Sequence, residues 1–187
     1  MIVIAGLGNP GNRYSKTRHN AGFLAVDMLL TRADLPTKWR RHASYESVDV
    51  TFDGVPVRLV KPLTFMNGSG KPIADIVHAD HVALENVWLV YDDVTVPLGS
   101  FRIRPVGGSS GGHNGVESVI QQVGSGEFGR IRIGIGPMPE NTDLAKYVLH
   151  RFGLRERSQF RTVLDSLTDY MVASIRYKKL KEETIHV

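Results

Sequence analysis

The stretch that decides the fold reads Ile2-Val3-Ile4-Ala5-Gly6-Leu7-Gly8-Asn9-Pro10-Gly11. A continuous apolar run that stops at glycine predicts a strand buried on both faces, which is typical of the interior of a helix-covered sheet. The polar loop that follows carries His19 near the carboxyl end of this strand, where α/β proteins place their ligands. An imidazole titrates at about pH 6.5 and can take a proton from water at neutral pH. His19 is therefore the first candidate for a catalytic residue.

The composition bounds the class of protein. A chain of 187 residues with 42% hydrophobic residues predicts one domain, residues 1–187, around one core. The net charge of +4 is a weak indication of a polyanionic partner. The absence of cysteine excludes disulfides, thiolate nucleophiles and zinc–cysteine sites. No apolar run approaches the roughly 20 residues that span a bilayer, so we expect a soluble cytoplasmic protein with no membrane partner.

Hydrophobic periodicity predicts strands interspersed with helices and one hairpin. Asn20 is predicted to cap the first helix, and Asp53-Gly54 to form the tight turn of the hairpin over 45–61. Further strands are predicted at 87–91, at 99–104 and through 131–135, with helices from Pro72, over 114–123 and along 160–175. Residues 176–181 are expected to be solvated. This order predicts a single-domain α/β/α sandwich with a mixed, mostly parallel central sheet flanked by helices.

Two glycine-rich patterns suggest other functions. Gly6 to Gly11 matches G-x-G-x-x-G, but a dinucleotide-binding loop opens directly into a helix, and here about eight polar or turn-forming residues intervene. The run 107–112 contains G-x-S-x-G around Ser109 and Ser110, which raises a serine esterase. His150 and His186 are the downstream candidates for its base, and neither lies in a convincing site loop. The same run at a helix start can also bind an anion.

Metal chemistry has little support in the sequence. Apart from His19, the histidines show no clear pairing with carboxylates at the spacing of metal ligands. They are His42, His78, His81, His113, His150 and His186. We therefore expect neither a metal nor a cofactor.

A second set of polar residues follows the predicted strands or borders glycine turns. Its members, besides His19, are Asn9, Asn67, Asp92 and Asn114. Each alone is typical of a turn or a helix cap. Together they offer a histidine, an orienting carboxylate and neutral amide donors, which a hydrolytic water and a carbonyl substrate require. The set favours direct attack by water on a carbonyl.

These residues stand in blocks that resemble the bacterial-type peptidyl-tRNA hydrolases. The blocks occur in order and at near-constant spacing, at 6–22, 64–70, 91–93, 111–115, 130–136 and 147–149. The resemblance covers almost the whole chain. It implies hydrolysis of the ester that joins a peptide, or an N-blocked amino acid, to the 3′ end of a tRNA, which recycles tRNA after aborted translation. It also implies a monomer that needs no metal.

The resemblance assigns roles to individual residues. His19 matches the catalytic base, Asp92 the carboxylate that orients it, and Asn9 the amide that distinguishes blocked from unblocked substrate. The other matches are Asn67 and Asn114 for the substrate or tRNA end, Tyr14 and Phe65 for tRNA beside the cleft, Met66 for the pocket wall, and Arg104 and Arg132 for tRNA phosphates.

One departure concerns the phosphate site. Val106 stands where a lysine is common in the family, and the glycine loop is one glycine longer, so Arg102 or Arg104 is the candidate replacement for that lysine. Besides the serine esterase, an RNA-binding protein that keeps the fold without turnover stays open as an alternative. The intact His19 and Asp92 argue against the RNA-binding protein.

Overall fold

The structure is a computed structural model that describes residues 1–187. One sheet runs through it, and its strands are β1 (Ile2–Gly6), β2 (Arg40–Arg41), β3 (Tyr45–Phe52), β4 (Val55–Pro62), β5 (Val87–Pro97), β6 (Ser100–Arg104), β7 (Gly129–Gly136) and β8 (Glu183–His186). The helices are α1 (Ala21–Leu30), α2 (Gly70–Ala79), α3 (Asn114–Val123), α4 (Leu144–Leu149) and α5 (Leu154–Arg176). Short 3-10 helices cover Arg18–Asn20, Met66–Gly68 and Leu84–Asn86.

The strand order is β2-β3-β4-β1-β5-β7-β6-β8. The four central strands β4, β1, β5 and β7 are parallel, and both edges are antiparallel. The predicted mixed, mostly parallel sheet is confirmed. Because the central strands are parallel, the carboxyl ends of β1 and β5 point toward the same side of the sheet, which is where α/β folds build their sites.

The sheet is buried on both faces, as the apolar run of β1 predicts. Ile2 and Ile4 belong to a core of 28 buried residues that includes the inner faces of α1 and α5. Val3 and Ala5 point the other way, into a second core of 14 buried residues with α2 and α3. Two cores on opposite faces of one sheet make the predicted α/β/α sandwich.

Local predictions are confirmed at the hairpin and the long helix. Asp53 and Gly54 both adopt positive φ, at 49° and 75°, as the tight turn between β3 and β4 requires. The amphipathic spacing over 160–175 lies within α5. No helix has the length and apolar character that crossing a bilayer would need.

Three local predictions differ from the structure. Asn20 stands at the start of α1, but its side chain makes no capping bond there. Strand β5 continues to Pro97 rather than ending at Tyr91, because β7 pairs with it beyond that point. Within 176–181, Leu180 is buried in the larger core, and the unpredicted strand β8 follows, paired with β6.

Candidate active site

A cleft of about 520 Å³ opens past the carboxyl end of β1, beside residues 92–94 of β5. Five segments line it, and the glycine loop before α3 and the helix α4 form two of its walls. The residues predicted from the sequence that it brings together are Asn9, Tyr14, His19, Phe65, Met66, Asn67, Asp92 and Asn114. Segments that are far apart in the sequence therefore meet past the carboxyl end of β1, where the sequence predicts a site.

His19 and Asp92 form the centre of the cleft. The Nδ1 atom of His19 lies 3.0 Å from each carboxylate oxygen of Asp92. The side chain of His19 is 13% exposed and that of Asp92 only 2%. Burial alone would raise the pKa of Asp92, but attraction to the His19 ring and hydrogen bonds from His113 and His19 outweigh it and hold that pKa well below its usual range.

An ionised Asp92 fixes the tautomer of His19. A carboxylate can only accept hydrogen bonds, so the facing Nδ1 of His19 carries a proton. The Nε2 atom of the neutral ring is then left with its lone pair. His19 lines the cleft, and its Nε2 atom can accept a proton while its Nδ1 atom is held by the carboxylate of Asp92.

His113 is a site residue that the sequence reasoning missed. Its Nε2 atom lies 3.2 Å from Asp92 Oδ1, so the expectation that this histidine has no carboxylate partner is wrong. Its Nδ1 atom accepts from the backbone N–H of Val116 at 3.3 Å and caps α3. The sequence signal was its place between Gly112 and Asn114 in a matching block, but only the fold brings that block to Asp92.

His19, Asp92 and His113 are also the one group of three potential metal-ligating side chains in the molecule, with ligand atoms within 4.8 Å of one another. The hydrogen bonds of the two histidine rings indicate another role for this group. A backbone N–H can only donate, so Nδ1 of His113 is unprotonated and its Nε2–H points at Asp92. The ring nitrogens that face the carboxylate therefore act as donors rather than as metal ligands.

Asn9 follows β1 and is held by hydrogen bonds to both its side chain and its backbone. Its Oδ1 atom accepts from the backbone N–H of Met66 at 2.8 Å, which leaves the Nδ2 donor for the cleft. The side chain of Asn20 accepts from the backbone N–H of Asn9 and donates to its carbonyl, both at 2.9 Å. The residue predicted as a helix cap thus fixes Asn9 instead.

The remaining amides and the aromatic residues lie at the mouth of the cleft. Asn67 and Asn114 are exposed and line the cleft. The rings of Tyr14 and Phe65 meet edge to face with centroids 6.3 Å apart, and Phe65 is 55% exposed. They form an open aromatic wall beside the cleft.

A second pocket of about 280 Å³ adjoins the cleft, and Gly111 lines both. Arg104 and Arg132, predicted from the sequence, line it, whereas Arg102 does not. Arg130, which was not predicted, also lines it: it is 2% exposed and donates to backbone carbonyls of the glycine loop. Burial lowers the pKa of Arg130, and the neighbouring arginines act in the same direction. Three arginines therefore line this pocket, and their positive charge favours an anion.

The serine esterase alternative finds no support in this geometry. Ser109 and Ser110 line the second pocket, not the cleft. His186 is hydrogen-bonded to Ser100 at 2.7 Å, far along the sheet, and His150 lies outside the cleft lining. No serine, threonine or lysine lines the cleft.

The dinucleotide-binding alternative also lacks its structural context. Gly11 lies ten residues before α1, so no helix begins directly after the first glycine loop.

A histidine backed by a buried carboxylate, in a cleft that also holds amide side chains but no serine, threonine or lysine, is the arrangement of a hydrolase. The chain belongs to the peptidyl-tRNA hydrolase family, whose model matches residues 3–186.

Individual relatives agree with this membership. The peptidyl-tRNA hydrolase of Fervidobacterium nodosum is 42% identical over 94% of this chain and 88% of its own. That of Kosmotoga olearia is 46% identical over 88% of this chain and 86% of its own. Among solved structures, the chain is similar to peptidyl-tRNA hydrolase from Acinetobacter baumannii, with a TM-score of 0.83 and 30% identity over 94% of this chain and 87% of that one.

Proposed function

We propose that this protein hydrolyses the ester between a peptide, or an N-blocked amino acid, and the 3′ end of a tRNA, and so recycles tRNA in the cytoplasm. The observation that carries the proposal is the His19–Asp92 pair, 3.0 Å apart at the base of the cleft of a member of this family. We propose further that residues 1–187 act as a single domain and a monomer, without metal or cofactor.

His19 acts as the general base. Its Nε2 atom takes a proton from water while the water oxygen bonds to the ester carbonyl carbon, and Asp92 stabilises the resulting imidazolium. The carbonyl oxygen becomes an oxyanion, for which we assign the Asn114 amide as donor. Collapse of the intermediate breaks the bond to the ribose 3′ oxygen, and the imidazolium returns the proton to that oxygen. Peptide and tRNA leave with all protons accounted for.

The amides explain a preference for blocked substrates. A free α-ammonium would have to lose water beside neutral amides, whereas an acylated nitrogen is uncharged and brings its own hydrogen-bonding groups. Asn9 presents a fixed Nδ2 donor, and Asn67 offers an exposed amide nearby. Sites built to hydrogen-bond a substrate discriminate strongly against an analogue that leaves their polar groups unpaired.

The surroundings of the cleft suit the tRNA end. Tyr14 and Phe65 offer faces on which a terminal base can stack, and stacking of this kind tolerates any base. Arg104 and Arg132 flank the glycine loop in the adjoining pocket and suit phosphates by their forked donors. We assign to Arg104 the place of the family's missing lysine at Val106.

The test offers N-acetyl-aminoacyl-tRNA and unblocked aminoacyl-tRNA side by side, with and without chelator. We expect the blocked ester to be cleaved preferentially and the chelator to have no effect. His19→Ala should lower turnover by about 10²- to 10⁴-fold. The exposed His78 on α2 supplies the matched control, since His78→Ala should retain wild-type turnover. Equal cleavage of both esters, or near-normal turnover by His19→Ala, contradicts the proposal.

A further inference from the structure

We propose that His113 is a positioning residue whose neutral ring shares the carboxylate of Asp92 with His19 and thereby sets the acidic limit of activity. The inference rests on the proposed function, in which His19 acts as the base. It follows from the two opposite hydrogen bonds of the His113 ring.

The ring of His113 is held in one protonation state by geometry. The Val116 N–H donates to its Nδ1 atom, which must therefore offer a lone pair. The other nitrogen, Nε2, carries the single proton and donates it to Asp92. The side chain is 10% exposed and packs against the ring of Tyr91 at 4.8 Å between centroids. A second proton, on Nδ1, would remove the lone pair that the Val116 N–H uses, so this pair of hydrogen bonds fits the neutral ring.

The neutrality of His113 matters because Asp92 serves two rings. The carboxylate Oδ1 lies 3.2 Å from Nε2 of His113 and 3.0 Å from Nδ1 of His19. A hydrogen bond to a carboxylate withdraws charge from it, so the donor from His113 weakens the pull of Asp92 on a proton at His19. Without that donor, the same buried charge favours the imidazolium of His19 more strongly. A protonated His19 cannot act as a base.

Few other charges compete with this effect. Asp93 faces the cleft but is paired with Arg132 on β7. Burial raises the pKa of Tyr91 to about 12, so its hydroxyl behind His113 is neutral. The residues of α4 that line the cleft are apolar, and those of the segment before α2 carry no charge. Besides His19, the only titratable group of the loop after β1 that lines the cleft is the phenol of Tyr14.

Two substitutions separate the roles of the two ring nitrogens. In His113→Asn the side-chain oxygen can take the place of Nδ1 and keep the helix cap, but nothing reaches Asp92. In His113→Gln the longer amide can donate to Asp92 in place of Nε2, but the cap is lost. We expect the acidic limb of kcat against pH to move up by about 0.5 to 1 pH unit in the Asn variant, while the cap of α3 is kept.

The Gln variant should behave in the opposite way. Its acidic limb should match the wild type, while its unfolding midpoint falls by about 2–4 °C because a cap is lost. An Asn variant with the wild-type limb, or equal displacement of the limb in both variants, overturns the inference. If wild-type protein does not cleave the blocked ester at all, the proposed function fails instead, so the two failures are distinguishable.

A second measurement does not depend on activity. Two-bond proton–nitrogen correlation spectra of the wild-type protein report which ring nitrogen carries a proton. We expect a neutral His113 ring with its proton on Nε2 throughout the pH range over which activity changes. A proton on Nδ1, or a doubly protonated ring in that range, overturns the inference.

Discussion

Asn20→Ala should weaken the fold and the site together, although the side chain does not reach the substrate. Asn20 is 2% exposed, and its amide makes two hydrogen bonds of 2.9 Å to the backbone of Asn9. Truncation to alanine removes both and leaves an N–H and a C=O of Asn9 without partners. Asn9 is itself only 7% exposed, so little water reaches these groups.

The size of the effect follows from those two bonds. Each buried polar group left unpaired costs about 1–3 kcal/mol, and partial entry of water reduces the total to about 2–3 kcal/mol. For a chain of this length each kcal/mol lowers the unfolding midpoint by about 2–4 °C, so we expect a fall of about 4–12 °C. Because the Asn9 side chain would lose its fixed orientation, kcat/KM for N-acetyl-aminoacyl-tRNA should fall by about 10- to 100-fold.

Calorimetry and initial-rate assays on one preparation test both effects. Asn12→Ala is the matched control, because Asn12 is exposed in the same loop and should change stability by no more than about 0.5 kcal/mol. If Asn20→Ala unfolds within that margin of the wild type, the two bonds do not hold Asn9. If it is destabilised but hydrolyses the blocked ester normally, the placement of Asn9 does not depend on them.

Two further predictions concern charge. Asp92→Asn should lower turnover by about 10²- to 10⁴-fold, since an amide can hold the wrong tautomer of His19. Because the pKa of Asp92 is lowered on folding, its stabilising contribution is full above the ordinary value of 3.8 and is lost as pH falls through the folded value; chemical denaturation of the variant should lack this acid-dependent loss. Arg104→Ala and Arg132→Ala should each reduce the slope of log affinity for tRNA against log salt by about one. Arg176→Ala, at a distant exposed ion pair with Asp53, should leave the slope unchanged.

Much of the fold can be predicted from local patterns, and the exceptions have a common cause. The apolar run of β1, the Asp53-Gly54 turn and the spacing of α5 are local signals, and each is confirmed. Strand β8 is not local: Glu183–His186 is polar and short, and it becomes a strand because β6 offers a free edge. The extension of β5 depends in the same way on pairing with β7.

The residues of the site also divide into those with a local sequence signal and those whose role depends on contacts distant in sequence. Chemistry-bearing residues that follow predicted strands or border glycine turns, such as His19, Asp92 and Asn9, could be picked out because their positions are unusual for their types. Arg130 could not, because an arginine in an alternating strand is normally read as solvent-facing. Its burial against the glycine loop depends on carbonyls more than twenty residues away.

Asn20 and His113 show why the residues behind the catalytic groups are the hardest to find. Each stands immediately before a helix, at its N-cap position. In the structure each also fixes a site residue on another segment, Asn9 in one case and Asp92 in the other. Helices α1 and α3 both begin at the cleft. A displacement of either helix start must therefore move a residue of the proposed active site, so the alignment of the site depends on the stability of these two helix starts.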